Sequence, residues 1–245
     1  EVIIPDDSRK EYTQNVELNG TYVKTAHLAR LFLDADVLIG VAHFKGHLMT
    51  GFGGAMKNLG MGCATREGKL AQHSDMAPFV NAKKCTGCSA CTGVCPAAAI
   101  FFKEKTAVID KDKCIGCASC IAACPSDALN IRWEQGGNLI QEKMVEYAKA
   151  VLLNKQERAF FINVCLKLTK ECDCMAKDDP RIIPDIGVFA SQDPLALDKA
   201  CYDRVSEAAG RDILRELHPN RDPNKQFRHA AKLKLGNLAY DLVEV

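Results

Sequence analysis

The chain has 245 residues, 47% of them apolar, enough to bury one large core or two smaller ones. Lys and Arg total 32 against 31 Asp and Glu, which leaves no electrostatic footprint for nucleic acid or an anionic membrane surface. No apolar run reaches the ~20 residues that span a bilayer. The best, Leu31 to Phe44, is interrupted by Asp34 and Asp36.

The chain opens Glu1-Val-Ile-Ile-Pro5, with no initiator methionine and no secretory leader, as a fragment of a longer cytoplasmic protein would. Tyr22 to Asp34 carries apolar residues at helical spacing and predicts an amphipathic helix. Asp36 to Phe44 is a continuous apolar run, the pattern of a strand buried on both faces. A glycine-rich loop follows from His43 to Cys63, holding six of the 17 glycines. A helix is expected to start near Gly54. Backbone amides in such a loop can face an anion, although a plain, sharply turning connection uses glycine equally well.

Residues 81–135 hold the densest chemistry. Cys85, Cys88, Cys91 and Cys95, followed by Pro96, recur as Cys114, Cys117, Cys120 and Cys124, followed by Pro125, at a constant offset of 29 residues. Each copy is C-x2-C-x2-C-x3-C-P, the spacing of bacterial ferredoxins that hold two [4Fe–4S] clusters. Three thiolates three residues apart wrap three corners of one cube, and the fourth ligates the other cluster. Cys95 is therefore expected with Cys114, Cys117 and Cys120, and Cys124 with Cys85, Cys88 and Cys91. Each oxidised cluster would add a charge of about −2. A disulfide framework or two zinc sites are the plainer alternatives. Ile100–Lys103, Thr106–Ile109 and Leu129–Trp133 read as short strands.

The α/β pattern then resumes. A helix is predicted over Leu139–Leu153, a strand over Arg158–Leu168, and a polar loop at Cys172-Asp173-Cys174. A strand at Ile186–Ser191 leads into a helix from Asp193-Pro194 to about Ala209, with Asp at the N-cap and Pro at the first helical position. A basic helix and a terminal strand, Tyr240 to Val245, close the chain. The expected architecture is an α/β domain with a mostly parallel sheet (1–80 and 136–245), interrupted by a ferredoxin-like α+β dicluster module (81–135).

A second site is expected at the strand ends. His43, His47, Cys63, Cys172 and Cys174 are its candidates, for an additional metal ion or a small ligand. His73, Lys45, Lys57 and Lys69 are weaker ones, each also explained as an ordinary surface or loop residue. Cys165 and Cys201 read as core.

The segments His43–His47, Gly51–Cys63, Cys172–Cys174 and Asp185–Asp198, together with the cysteine motifs, resemble an iron–sulfur-centre protein family. That family is defined by a domain of unknown function, DUF362, and carries a dicluster ferredoxin insertion. The resemblance covers nearly the whole chain and implies further α/β residues upstream. It implies iron–sulfur cofactors and no particular reaction. Two function classes follow. In one, clusters pass electrons to or from a small-molecule substrate on the α/β domain, as in a reductase. In the other, the α/β domain is a docking module and the protein is a non-catalytic electron carrier or a scaffold or cluster-handling protein that meets a redox partner protein.

Overall fold

The structure, a computed structural model, describes residues 2–3, 12–73, 77–114, 119–130, 139–173 and 179–244. Cys117, Cys174 and the segment Ile131–Trp133 lie outside the described residues, as does Val245. In chain order the elements begin with β1 (Thr13–Glu17), β2 (Thr25–Ala29), α1 (Arg30–Asp34), β3 (Leu38–His43), β4 (Lys45–His47), β5 (Gly51–Gly53) and α2 (Ala55–Lys57). One π-helical turn, Asn58–Gly62, extends α2. Next come α3 (Arg66–His73), β6 (Phe79–Val80), α4 (Ala90–Gly93), β7 (Ile100–Lys103), β8 (Thr106–Ile109), α5 (Ser119–Ala122) and β9 (Leu129–Asn130). The chain ends with α6 (Ile140–Leu152), β10 (Ala159–Cys165), β11 (Gly187–Ser191), α7 (Pro194–Ala209), α8 (Ile213–Leu217) and α9 (Asn224–Lys232).

Two compact units result. A cysteine unit comprises Glu1–Val16, Ala26–Arg30 and Ala64–Ile140, and an α/β unit comprises Glu17–Thr25, Leu31–Cys63 and Gln141–Val245.

The α/β unit is organised on a three-stranded sheet in the order β11-β10-β3. β10 runs parallel to β3, from Ala159 beside Leu38 to Val164 beside His43. It runs antiparallel to β11, from Phe161 beside Ser191 to Cys165 beside Gly187. The sheet is therefore mixed, where the apolar runs predicted mostly parallel pairing. A run of apolar residues records burial but not direction, so the reversal over 166–186 leaves no mark in the pattern.

α7 covers one face. Its start follows the predicted chemistry: the Asp193 carboxylate accepts from Leu195 N at 2.9 Å and Ala196 N at 2.8 Å, with Pro194 at the first helical position. Leu195, Leu197, Cys201 and Val205 are buried on it. Beside them Phe44, Phe52, Tyr202 and Phe227 form an aromatic cluster with centroids 5.1–5.5 Å apart.

The opposite face of the sheet is open. Ile39, Val41 and Val188 are 63%, 58% and 59% exposed, so β3 is not buried on both faces as its sequence suggests.

Two further expectations are corrected. Over 22–34 the chain forms β2 and then only the short α1, because Ala26 and Leu28 bury at spacing two, with Leu28 bridged to Ala64. Residues 240–244 form no strand; Tyr240 instead donates to Asp203 Oδ2 at 3.0 Å. No helix among the described residues is long and apolar enough to cross a membrane.

Candidate functional site

In the cysteine unit the 29-residue offset governs the backbone as well as the cysteines. The side chains of Asn81 and Asp110 each accept from the N–H two residues on, at 3.1 Å. Cys85 N donates to Asn81 O, and Cys114 N to Asp110 O. Ala98 and Asp127 both take positive φ, 46° and 48°. α4 and α5 occupy equivalent places, and each small sheet joins the two copies: Val80 pairs with Leu129 as Ile109 pairs with Ile100. Two copies of one βα unit thus interlock, each supplying strands to the other.

The thiols are held by the same backbone. Cys95 Sγ accepts from Ala99 N and Cys124 Sγ from Ala128 N, both at 3.3 Å, and Cys85 Sγ accepts from Ala107 N at 3.5 Å. Gly87 makes this loop possible: its φ is +70°, and a Cβ there would stand 3.0 Å from Lys105 O. Burial pushes the Cys91 thiol above its ordinary value, and the like charges of Cys85, Cys88 and Cys124 push it the same way. Cys124, from the second copy, thus acts electrostatically on Cys91 of the first copy, alongside Cys85 and Cys88. Burial works against the Cys124 thiolate, but hydrogen bonds from the Ser126 hydroxyl and from nearby N–H groups outweigh it and hold its thiol below the ordinary value. Cys91, Cys120, Ala107, Ile121 and Leu129 form the apolar centre around them. Among the described residues, no three His, Cys, Asp or Glu side chains are grouped to hold one metal ion.

In the α/β unit, β3 and β10 are parallel neighbours, so the loops after their ends emerge side by side. Gly46 N donates to Thr169 O at 3.0 Å, and a Cβ on Gly46 would fall 2.1 Å from Lys170 O. Only glycine permits that approach. Leu48 N donates to the Glu171 carboxylate at 3.1 Å. His43 contacts Asp173 Oδ2 through Nδ1 at 3.0 Å and donates from Nε2 to Leu166 O at 2.8 Å. Lys45 reaches the same Asp173 oxygen at 2.8 Å. Partial burial opposes ionisation of Asp173, but Lys45 and His43 outweigh it and hold its carboxyl below the usual range. Lys57 Nζ lies 3.6 Å from Cys172 Sγ, and its stem packs across Gly53.

The predicted residues do not all present free ligand atoms. Both ring nitrogens of His43 are spent on protein partners. His47 Nδ1 accepts from Met49 N and Thr50 N, which places the ring proton on Nε2. Cys63 is buried at the end of the π-helical turn, its N–H bonded to Leu59 O. His73 lies on α3 in the cysteine unit, hydrogen-bonded to Lys69 O. The anion that the glycine loop faces is the protein's own. Asp198, fully buried, accepts from Ala55 N at 2.7 Å and Met56 N at 2.9 Å, at the start of α2, and from Asn163 Nδ2 at 2.7 Å. A Cβ on Gly54 would fall 2.3 Å from Asp198 Oδ1. Asp173 and Asp198 are the residues that sequence reasoning did not single out. Asp173 stands between the two candidate cysteines, and Asp198 lies 143 residues from its partner Ala55.

The domain of unknown function DUF362 matches residues 1–203. Among curated proteins nothing matches. Among solved structures, the lactate racemase apoprotein from Thermoanaerobacterium thermosaccharolyticum is similar at 19% identity with a TM-score of 0.40. The similarity covers 82% of this chain but only 33% of that one, so this chain spans about a third of that protein's length. With the domain covering more than four-fifths of its residues, the chain belongs to the DUF362 family.

Proposed function

We propose that the cysteine unit holds two [4Fe–4S] clusters in a ferredoxin-like dicluster module, and that the protein transfers electrons to or from a site on its α/β unit, as a reductase component. One observation carries the reading. Two copies of a βα unit interlock through both small sheets, Val80 beside Leu129 and Ile100 beside Ile109, which holds the cysteine loops of the two copies in one compact unit. The donor set is all sulfur, which suits iron–sulfur clusters or zinc and disfavours hard cations. A cube gives each thiolate its own iron, so its sulfurs stand further apart than around a single ion. Bound there, the clusters would supply one-electron transfer. The chain's own part is to hold thiolates ready and to aim N–H groups at sulfur, from Ala99, Ala107 and Ala128.

On the α/β unit, Lys45, His43, Asp173, Lys57 and Cys172 gather at the ends of β3 and β10, where small substrates of α/β sheets bind. The commitment of both imidazoles to protein partners favours a second reading, in which this unit only docks a redox partner protein. Anaerobic purification with iron and sulfide analysis tests the first claim: about eight irons per chain are expected. Zinc, or four irons after full reconstitution, overturns it. His43→Ala and Lys57→Met variants separate the two readings. Slower reoxidation by small acceptors at unchanged cluster content supports the reductase, and unchanged rates support the docking role.

A further inference from the structure

At the other end of β10 from these loops, the α/β unit has an open groove of about 310 Å³. Leu153, Phe161 and Leu235 give it an apolar wall, and Lys149, Lys234 and Gln192 are among its other lining residues. Leu153 is 49% exposed, an apolar side chain left in water. Neither Lys149 nor Lys234 has an ion pair or a side-chain hydrogen bond among the described residues. Lys149 is half-buried beside this apolar wall and Lys234 is exposed, and an anion would give both ammonium groups a partner.

Lys234 stands where glycine is expected. α9 ends with Lys234 N donating to Ala231 O and Leu235 N donating to Ala230 O, with Lys234 at φ +57°. α7 ends with the same pattern, Gly210 N to Glu207 O and Arg211 N to Ser206 O, and there the left-handed residue is Gly210 at φ +66°. A lysine in that conformation is disfavoured relative to glycine. Favourable charge at the helix end does not explain it, since Lys232 and His229 already sit in the last turn. The Asp193 carboxylate makes no ion pair with either lysine among the described residues and accepts from Leu195 N, Ala196 N and Asn237 N.

We propose that this groove binds a small monocarboxylate with an apolar body, such as an aryl or branched-chain acid. Lys149 and Lys234 take the carboxylate, and Leu153, Phe161 and Leu235 receive the body. The volume lies at the low end of ligand pockets, ~300–1,000 Å³, which suits an acid of this size. The inference is independent of the cluster assignment.

Calorimetric titration of the full chain, purified anaerobically, tests it with phenylacetate, 2-phenylethanol and inorganic phosphate as probes. Phenylacetate is expected to bind saturably, at least tenfold more tightly than the uncharged alcohol or phosphate. Lys149→Met and Lys234→Gly are each expected to weaken phenylacetate binding at least tenfold. Lys234→Gly should also raise the melting temperature, because glycine relieves the left-handed residue. Absence of phenylacetate binding, equal binding of phosphate or alcohol, or binding unchanged in both variants overturns the proposal.

Discussion

His229 donates from Nε2 to the carboxylate of Glu146 at 3.0 Å, and both side chains are buried in the α/β unit. The same carboxylate accepts from Thr21 N, Tyr22 N and Val23 N at 2.7–3.3 Å. A Cβ on Gly20 would fall 2.3 Å from Glu146 Oε2, so glycine is what lets this backbone close on the charge. Burial opposes ionisation here, yet His229 and the three N–H groups outweigh it and hold Glu146 below its ordinary value. A depressed carboxyl contributes stability that is present above its unfolded pKa, ~4.3, and is lost as pH falls through the folded value. Glu146→Gln turns an amide NH2 toward N–H donors and is expected to cost roughly 2–3 kcal/mol at neutral pH. The cost should shrink as pH drops below about 4. Denaturant melts from pH 3 to 7 check this, and a pH-independent difference contradicts it.

The interlocked copies predict how cluster losses combine. In the proposed dicluster reading Cys124 joins Cys85, Cys88 and Cys91, so Cys88→Ser and Cys124→Ser should damage the same cluster. A Cys88→Ser/Cys124→Ser double variant is then expected to keep about four irons. A Cys114→Ser/Cys124→Ser variant should lose both clusters. Iron analysis with electron paramagnetic resonance of the reduced proteins distinguishes the patterns, and the reverse pattern refutes the crossed arrangement.

The repeat was legible because the cysteine spacing leaves a one-dimensional signature. The offset of the cysteines reappears in Asn81 and Asp110 and in Ala98 and Asp127, which nothing but the shared offset would have paired. The Asp193-Pro194 helix start was legible for a local reason, a side chain capping its own helix. Direction and long-range partners were not. Ala26 and Leu28 fit a helical stripe and a strand equally well until Ala64 pairs with Leu28. The β11 run gives no hint that it opposes β10. The glycine loop was read as facing an anion, and it does, but the anion is Asp198, far along the chain.

Asp198 titrates in the opposite sense to Glu146. Burial pushes its carboxyl up to about 6, against the pull of Met56 N, Asn163 and Ala55 N. A raised acid stabilises the fold below its unfolded pKa, ~3.9, and that contribution is lost as pH rises through the folded value. Charging the buried group costs about 3 kcal/mol at neutral pH. The wild type should therefore gain stability relative to Asp198→Asn as pH falls from 7 to 4, by about 2–3 kcal/mol. Because Glu146 is common to both proteins, its own titration cancels. A difference that stays flat or reverses over this range contradicts the assignment.

Gly46 and Gly93 make the last prediction, a contrast between two glycines of one chain. At Gly46 a Cβ would meet Lys170 O at 2.1 Å, Lys170 C at 2.9 Å and Thr169 O at 3.2 Å. All three atoms are backbone, and they cannot swing aside as the end of a flexible side chain can. Lys170 O also receives His218 Nε2 at 3.0 Å, so moving it strains a second contact. Gly46→Ala is therefore expected to cost about 3 kcal/mol or more, and to separate the loops that carry Lys57 and Cys172. At Gly93, the last residue of α4, nothing lies within 4 Å of the same methyl and φ is not positive. Gly93→Ala should be neutral or stabilising by up to about 1 kcal/mol, through the smaller entropy of the unfolded chain. Thermal melts of the two variants side by side check the contrast. Equal stability of Gly46→Ala and the wild type would show that the 43–57 and 166–173 loops are not packed together as described.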